Sequence, residues 1–313
     1  MVVKEVVKRY RKWRIERNTR ELEFKPPQFS HGSRIGGLRY YTEGDDDAPV
    51  TIIFVHGYTL AASAWHLQIA SLADRARCIA MDLRGHGKSE ECDIAKCTID
   101  GAADDVMAVL DDAPLQGPVI FVGHSLGGMV VLNLLRRYPQ FRVNCQGVVL
   151  IATSARPFAS DGMAQLLKLP IVSAIRDTPK ATAVDAELFR DKVLDLVAPA
   201  VRASAFSGTA DQALADFHLS LIKGTPINSI IGFLDDLEIH DEVEALASLK
   251  GIPGEIIVGD GDLVTPVEQS EFIHDAWPGS QLTVVPEGGH MLPLEKQSVI
   301  TKKINSLLDG VYA

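Results

Sequence analysis

The 313-residue chain contains no run approaching 18 consecutive apolar residues, so no segment of it reads as a membrane span. Its first stretch, MVVKEVVKRYRKWR, carries charges where a secretion signal needs an apolar core. Cysteine is scarce: Cys78, Cys92, Cys97 and Cys145 lack the CxxC spacing of zinc sites and redox motifs. A Cys92–Cys97 bridge is one alternative, but reduced, partly buried thiols are the expected state. There is no GxxxxGK[ST] phosphate loop, no internal repeat and no low-complexity tract. Positive charge is in deficit, with 31 Lys and Arg against 41 Asp and Glu and a formal net charge of −10. That balance argues against general nucleic-acid binding.

What is present describes an ordinary globular chain, with 46% hydrophobic and 23% charged residues. The length suits one α/β domain with an insertion. Charge is nonetheless uneven. Residues 1–25 hold nine Lys or Arg against four Glu, inside an otherwise acidic protein. Val3, Val6, Val7, Tyr10 and Trp13 recur there at helical spacing, so residues 2–20 are expected to form a basic amphipathic helix. Such a helix suits peripheral contact with an anionic membrane surface or packing on its own domain. The expected location is cytoplasmic, with membrane association through residues 2–20 as the variant of it. FKPPQFSHG, residues 24–32, reads as a linker.

From residue 37 onward, short apolar runs alternate with helical patterns. Strands are expected at 37–42, 50–55, 77–83, 118–122, 147–153, 254–260 and 281–285, and helices at 62–74, 98–112, 127–138 and 267–276. Continuous apolar runs of this kind suit parallel strands covered on both faces. The fold class is therefore α/β: a mostly parallel open sheet wrapped by helices. Residues 156–250 break the pattern, with no convincing core strand and helical candidates near 161–176, 185–198, 209–223 and 241–249. The expected organisation is residues 1–30 as N-terminal helix and linker, 31–155 and 251–313 as the core, and 156–250 as a helical cap inserted between strands.

One corner of this pattern carries chemistry. PVIFVGHSLGGMVVLNLL, residues 118–135, turns from strand to helix within about five residues, with Ser125 at the apex. A free serine hydroxyl is a poor nucleophile until a base takes its proton and fixed donors receive the developing oxyanion. A strand-to-helix corner lifts the side chain clear of the sheet and leaves unpaired N–H groups beside it. Gly123 and Gly127 permit close approach, and Gly123-His124-Ser125-Leu126-Gly127 is the GxSxG nucleophile elbow.

The elbow calls for an acid after a later strand and a histidine near the C-terminus. GEIIVGDGDLVTP supplies Asp260 and Asp262, of which Asp262 reaches further into the loop; VVPEGGHMLPLE supplies His290. The strand at 147–153 ends in Thr153-Ser154 and offers no carboxylate in their place. In VTIIFVHGYTL, Gly57 allows a tight turn that would bring the N–H of Tyr58 to face Ser125, pairing with that of Leu126 as an oxyanion hole. His56 reads as a hydrogen bonder that fixes this loop rather than as a second base, and His86 in DLRGHGKS as part of a structural turn. The remaining histidines (His31, His66, His218, His240 and His274) are scattered, and no pair has metal-ligand spacing on a helix, so neither metal nor cofactor is expected.

Taken together, HGYTLAASAWHLQ, DLRGHGKSE, GHSLGGMV, GDGDLVTP and GGHMLPLE resemble the serial signature blocks of the α/β-hydrolase superfamily, over about residues 35–155 and 251–308. The first two resemble its actinobacterial esterase and lipase-like members. The resemblance implies Ser125 as nucleophile, His290 as base, Asp262 as orienting acid, Tyr58 and Leu126 N–H groups as oxyanion donors, and 156–250 as the lid or cap. A serine nucleophile in place of an aspartate sets the chain apart from the epoxide hydrolases and haloalkane dehalogenases of that fold. Many relatives in the actinobacterial group begin with a hydrophobic membrane segment; this chain either lacks it or starts downstream of it. The expected function is hydrolysis of a small or lipid-like carboxylic ester through an acyl-enzyme. An acyltransferase, a perhydrolase and a C–C bond hydrolase would use the same triad, and a ligand receptor on a hydrolase fold is the non-enzyme alternative.

Overall fold

The computed structural model describes residues 29–157 and 198–313, except 114, 116, 200 and 209. The expected N-terminal helix, the helical candidate at 161–176 and all but the last residue of the candidate at 185–198 lie outside the described residues. Eight strands form one sheet: β1 (His31–Ile35), β2 (Leu38–Glu43), β3 (Thr51–Val55), β4 (Arg77–Asp82), β5 (Val119–His124), β6 (Cys145–Ile151), β7 (Gly254–Gly259) and β8 (Ser280–Val285). Their order is β1-β2-β4-β3-β5-β6-β7-β8, antiparallel across the first two pairings and parallel from β4 to β8.

The parallel strands are the apolar ones. β3 and β5 are buried along their whole length, because alternate side chains feed opposite layers. Ile53, Val55, Val119 and Phe121 join the layer under helices α2 (Ile99–Asp112) and α3 (Leu126–Arg137). Ile52, Phe54, Ile120 and Val122 face the other way, toward Ile69 and Leu72 of α1 (His66–Leu72). Between β6 and β7 lie α4 (Gln212–Gly224) and α5 (Ile227–Ile239), followed by a 3₁₀ segment at Val243–Leu249. The C-terminal part adds α6 (Val267–Ala276) and α7 (Gln297–Tyr312), whose Ile300, Ile304 and Leu308 complete the second layer. No helix among the described residues is long and apolar enough to cross a membrane.

Three expectations need correction. Residues 31 and 32, read as the end of the linker, instead open strand β1, which is joined to β2 through the Gly36-Gly37 turn, with Gly36 at φ 53°. Its residues HGSRI are almost wholly exposed, so no apolar alternation marks it. Cys92 and Cys97 are bonded to each other, whereas Cys78 and Cys145 are free and buried. The five-residue separation closes over the short 3₁₀ turn at Ile94–Lys96, which brings the two side chains together. The segment read as a helix at 241–249 is the 3₁₀ run, and the longer helix of that region is α5.

Candidate active site

The carboxyl ends of β3, β5, β7 and β8 converge on Ser125. Its backbone sits at φ 53° and ψ −120°, a left-handed conformation rare for a residue other than glycine. The corner is held from several sides. The Ser125 N–H donates to Ile151 O (2.9 Å), while Ser125 O accepts from Gly128 N (2.9 Å) and from the Thr153 hydroxyl (2.7 Å). Thr153, which offers no acid, thus stabilises the turn. A Cβ on Gly123 would fall 2.5 Å from Gly127 O, so the tight crossing of strand and helix requires glycine there.

His290 bridges the site. Its Nε2 lies 3.0 Å from Ser125 Oγ and its Nδ1 lies 2.9 Å from Asp262 Oδ2. Asp262 is fixed in turn: Oδ1 accepts from the N–H groups of Val264 (2.8 Å) and Thr265 (2.9 Å), and Oδ2 from the Thr265 hydroxyl (2.8 Å). All three residues are buried. Burial by itself would push the Asp262 carboxyl up. The adjacent His290 and the backbone donors outweigh burial and hold it below the usual carboxylate range, so Asp262 stays ionised beside the imidazole. Asp260, the neighbouring choice, is exposed and does not reach His290.

The loop after β3 presses against the same serine. A Cβ on Gly57 would come within 3.2 Å of Ser125 Cβ and of His124 O, so Gly57 lets the backbone approach the elbow and sets Tyr58 beside it. Leu126 opens α3, so no intrahelical bond takes its N–H. His56 is buried, with Nδ1 2.8 Å from Gly57 O and Nε2 accepting the Leu83 N–H at 3.0 Å; burial lowers its pKa to about 4, so it is neutral.

Sequence reasoning missed the supports behind this loop. His86 Nε2 accepts the N–H of Thr59 (3.1 Å), the residue after Tyr58, and Thr59 itself sits at φ 58°. Asp82 Oδ1 accepts from Ala62 N at 2.8 Å. The glycines around His86 were the available signal, since a turn that tight returns the imidazole to the neighbouring loop. In the partner position of the elbow, His124 Nε2 lies 2.9 Å from His290 O and fixes the backbone of the histidine loop.

Comparisons with known proteins bear on the fold and the family. At 30% identity, an uncharacterised Mycobacterium tuberculosis protein matches 76% of this chain and 69% of its own length. An esterase from Thermogutta terrifontis superposes with a TM-score of 0.68 at 24% identity, covering 93% of this chain and 100% of that one. An enol-lactonase from Burkholderia xenovorans gives 0.72 at 21% identity, over 89% and 99% respectively. Residues 52–299 match the model of the alpha/beta hydrolase family, and the chain belongs to that family of hydrolases.

Proposed function

We propose that the protein hydrolyses a carboxylic ester through an acyl-enzyme formed on Ser125. The observation that carries this reading is the single imidazole of His290, held between Ser125 Oγ and Asp262 Oδ2. As the hydroxyl attacks the ester carbonyl, His290 Nε2 takes its proton, and Asp262 holds the ring by Nδ1 and offsets the charge that forms. The carbonyl oxygen becomes an oxyanion facing the backbone N–H groups of Tyr58 and Leu126. Collapse of this intermediate expels the alcohol, which receives the proton from His290. Water then attacks the acyl-enzyme with His290 again as base, releasing the acid and restoring the serine. The neutral state of His56 and its two backbone bonds suit a loop-fixing role, which leaves His290 as the base.

The helices between β6 and β7 act in this reading as the cap that selects the ester. Tyr58 joins cap to site, since its hydroxyl donates to Ile230 O of α5 at 2.8 Å. A fluorophosphonate probe should label the wild-type protein on Ser125 and fail to label Ser125→Ala. A panel of p-nitrophenyl esters of increasing chain length should be turned over by the wild type alone. Absence of both labelling and turnover in the folded wild type would leave the chain a binding protein on this fold.

A further inference from the structure

One imidazole near the site has no part in the scheme above. His218 lies on α4, buried to 7% exposure, among apolar neighbours that include Phe206 and Phe217. The Phe206 ring meets it edge-on at 5.4 Å. Phe206 is itself tied to the histidine loop: its carbonyl carbon would lie 2.7 Å from a Cβ on Gly289, and the preceding Ala205 O accepts the N–H of Met291 at 2.8 Å. Glu295 fastens the same junction by accepting both the Ser207 and the Gly289 N–H. This cap segment and the loop of His290 therefore form one seam, and His218 lines it from the cap side. Leu60 and Met291, neighbours of the proposed oxyanion loop and of His290, belong to the same apolar cluster.

Buried polar groups are ordinarily satisfied, and the other buried imidazoles around this site each find at least one partner: His56, His86 and His124 on backbone groups, and His290 on the side chains of Ser125 and Asp262. Neither ring nitrogen of His218 has a hydrogen-bond partner among the described residues. We propose that His218 is a specificity-determining residue of the ester site, contacting a second, uncharged oxygen of the substrate (a hydroxyl or keto group) beyond the scissile bond. This rests on the ester-hydrolase reading and narrows its substrate class from plain alkanoyl esters to oxygen-bearing ones. Burial, reinforced by the nearby His290, lowers the His218 pKa to about 3. A neutral imidazole offers one donor and one acceptor, which suits a hydroxyl or a ketone better than a carboxylate. A site built around such a group discriminates against the analogue that lacks the oxygen, because the imidazole is then left unpaired.

The test compares kcat/KM for p-nitrophenyl butyrate with that for p-nitrophenyl 3-hydroxybutyrate and p-nitrophenyl levulinate, in wild type, His218→Leu and His218→Gln. Thermal unfolding of each variant is followed alongside. The wild type is expected to favour one of the oxygenated esters by about tenfold or more, the range of a buried hydrogen bond gained or left unmade. His218→Leu should bring that ratio close to one, and His218→Gln, which keeps a donor and an acceptor, should restore part of it. The ratio is read within each variant, so a general loss of folding does not imitate the effect. A wild-type ratio near one, or a ratio that His218→Leu leaves standing, overturns the proposal. If the wild type cleaves no ester and Ser125 is not labelled by a fluorophosphonate, the ester reading falls and takes the proposal with it.

Discussion

Asp82 and Asp262 both stand just past or at the end of a parallel strand, both are buried, and both accept backbone N–H groups from a following loop. Asp82 takes Ala62 N (2.8 Å), Lys88 N (2.9 Å) and the Tyr41 hydroxyl (3.2 Å), and burial still leaves its carboxyl raised. Asp262 takes Val264 N, Thr265 N and the Thr265 hydroxyl and, in addition, the ring of His290. Burial pushes against its ionised form too, but here the imidazole reverses the outcome and the carboxyl is lowered. At Asp82 the backbone donors fix the carboxylate in place without offsetting its desolvation; at Asp262 the adjacent imidazole, added to the backbone donors, does offset it. One aspartate thus braces the loops after β3 and β4, and the other is electrostatically coupled to the imidazole of His290.

The histidines divide along the same line. His56, His86 and His124 spend their bonds on backbone groups, while His290 spends both nitrogens on side chains. The sharpest way to break that division is to remove the hydroxyl that faces His290 Nε2. Ser125→Ala should lower kcat by on the order of 10⁶, with circular dichroism unchanged. A variant that kept most of its turnover would place the nucleophile elsewhere.

The next largest effect separates two neighbouring carboxylates. Asp262→Asn should cost about 10⁴ in kcat, because the amide favours the wrong tautomer of His290. Asp260→Asn, at an exposed position, should cost far less. Steady-state kinetics on one ester decides the matter, and reversed magnitudes would exchange the roles of the two residues.

Much of this arrangement is legible in residues 118–135 and 254–290. Continuous apolar strands announce a sheet buried on both faces, and the elbow, acid and histidine follow them at strand ends in a fixed chain order. Asp262, chosen over Asp260 for its distance beyond the strand, is the carboxylate that lies 2.9 Å from His290 Nδ1. Other parts left no such trace. β1 is exposed and lacks periodicity, so only its pairing with β2 makes it a strand. The Cys92–Cys97 bond depends on a local turn that spacing alone does not reveal. The braces Asp82 and His86 act across loops distant in sequence, so a glycine-rich turn is visible while the group it delivers its imidazole to is not.

Acid should expose the cost of so many neutral imidazoles. In the folded protein His56 titrates at about 4 and His86, His124 and His218 at about 3, each depressed first of all by burial. In the unfolded chain a histidine protonates near 6.5. Below that pH the unfolded state binds more protons, so stability is complete above about 6.5 and is lost as the pH falls toward the folded values. Between pH 7 and 6 each imidazole should cost about 0.7 kcal/mol, or about 3 kcal/mol for the four together. Urea unfolding at the two pH values measures this directly. A stability that did not change, or that rose on acidification, would mean that these rings are not held neutral.

The smallest predicted effect probes whether a brace can be told from a reacting group. His86→Ala removes the acceptor of the Thr59 N–H and leaves that donor buried beside the Tyr58 loop. An unmet buried donor costs about 1–3 kcal/mol, of which part appears as lost stability and part as a displaced oxyanion loop. A fall in kcat/KM of about tenfold is expected, with fluorophosphonate labelling of Ser125 slowed by a similar factor, since in the proposed mechanism both reactions place an oxygen against the Tyr58 and Leu126 N–H groups. The shape of the pH–rate profile should not change, because His86 is neutral and transfers no proton. Loss of a limb of that profile in His86→Ala would make His86 a second base and erase the division between the histidines that brace and the one proposed to react. A variant with lowered stability but full activity would restrict His86 to the fold alone.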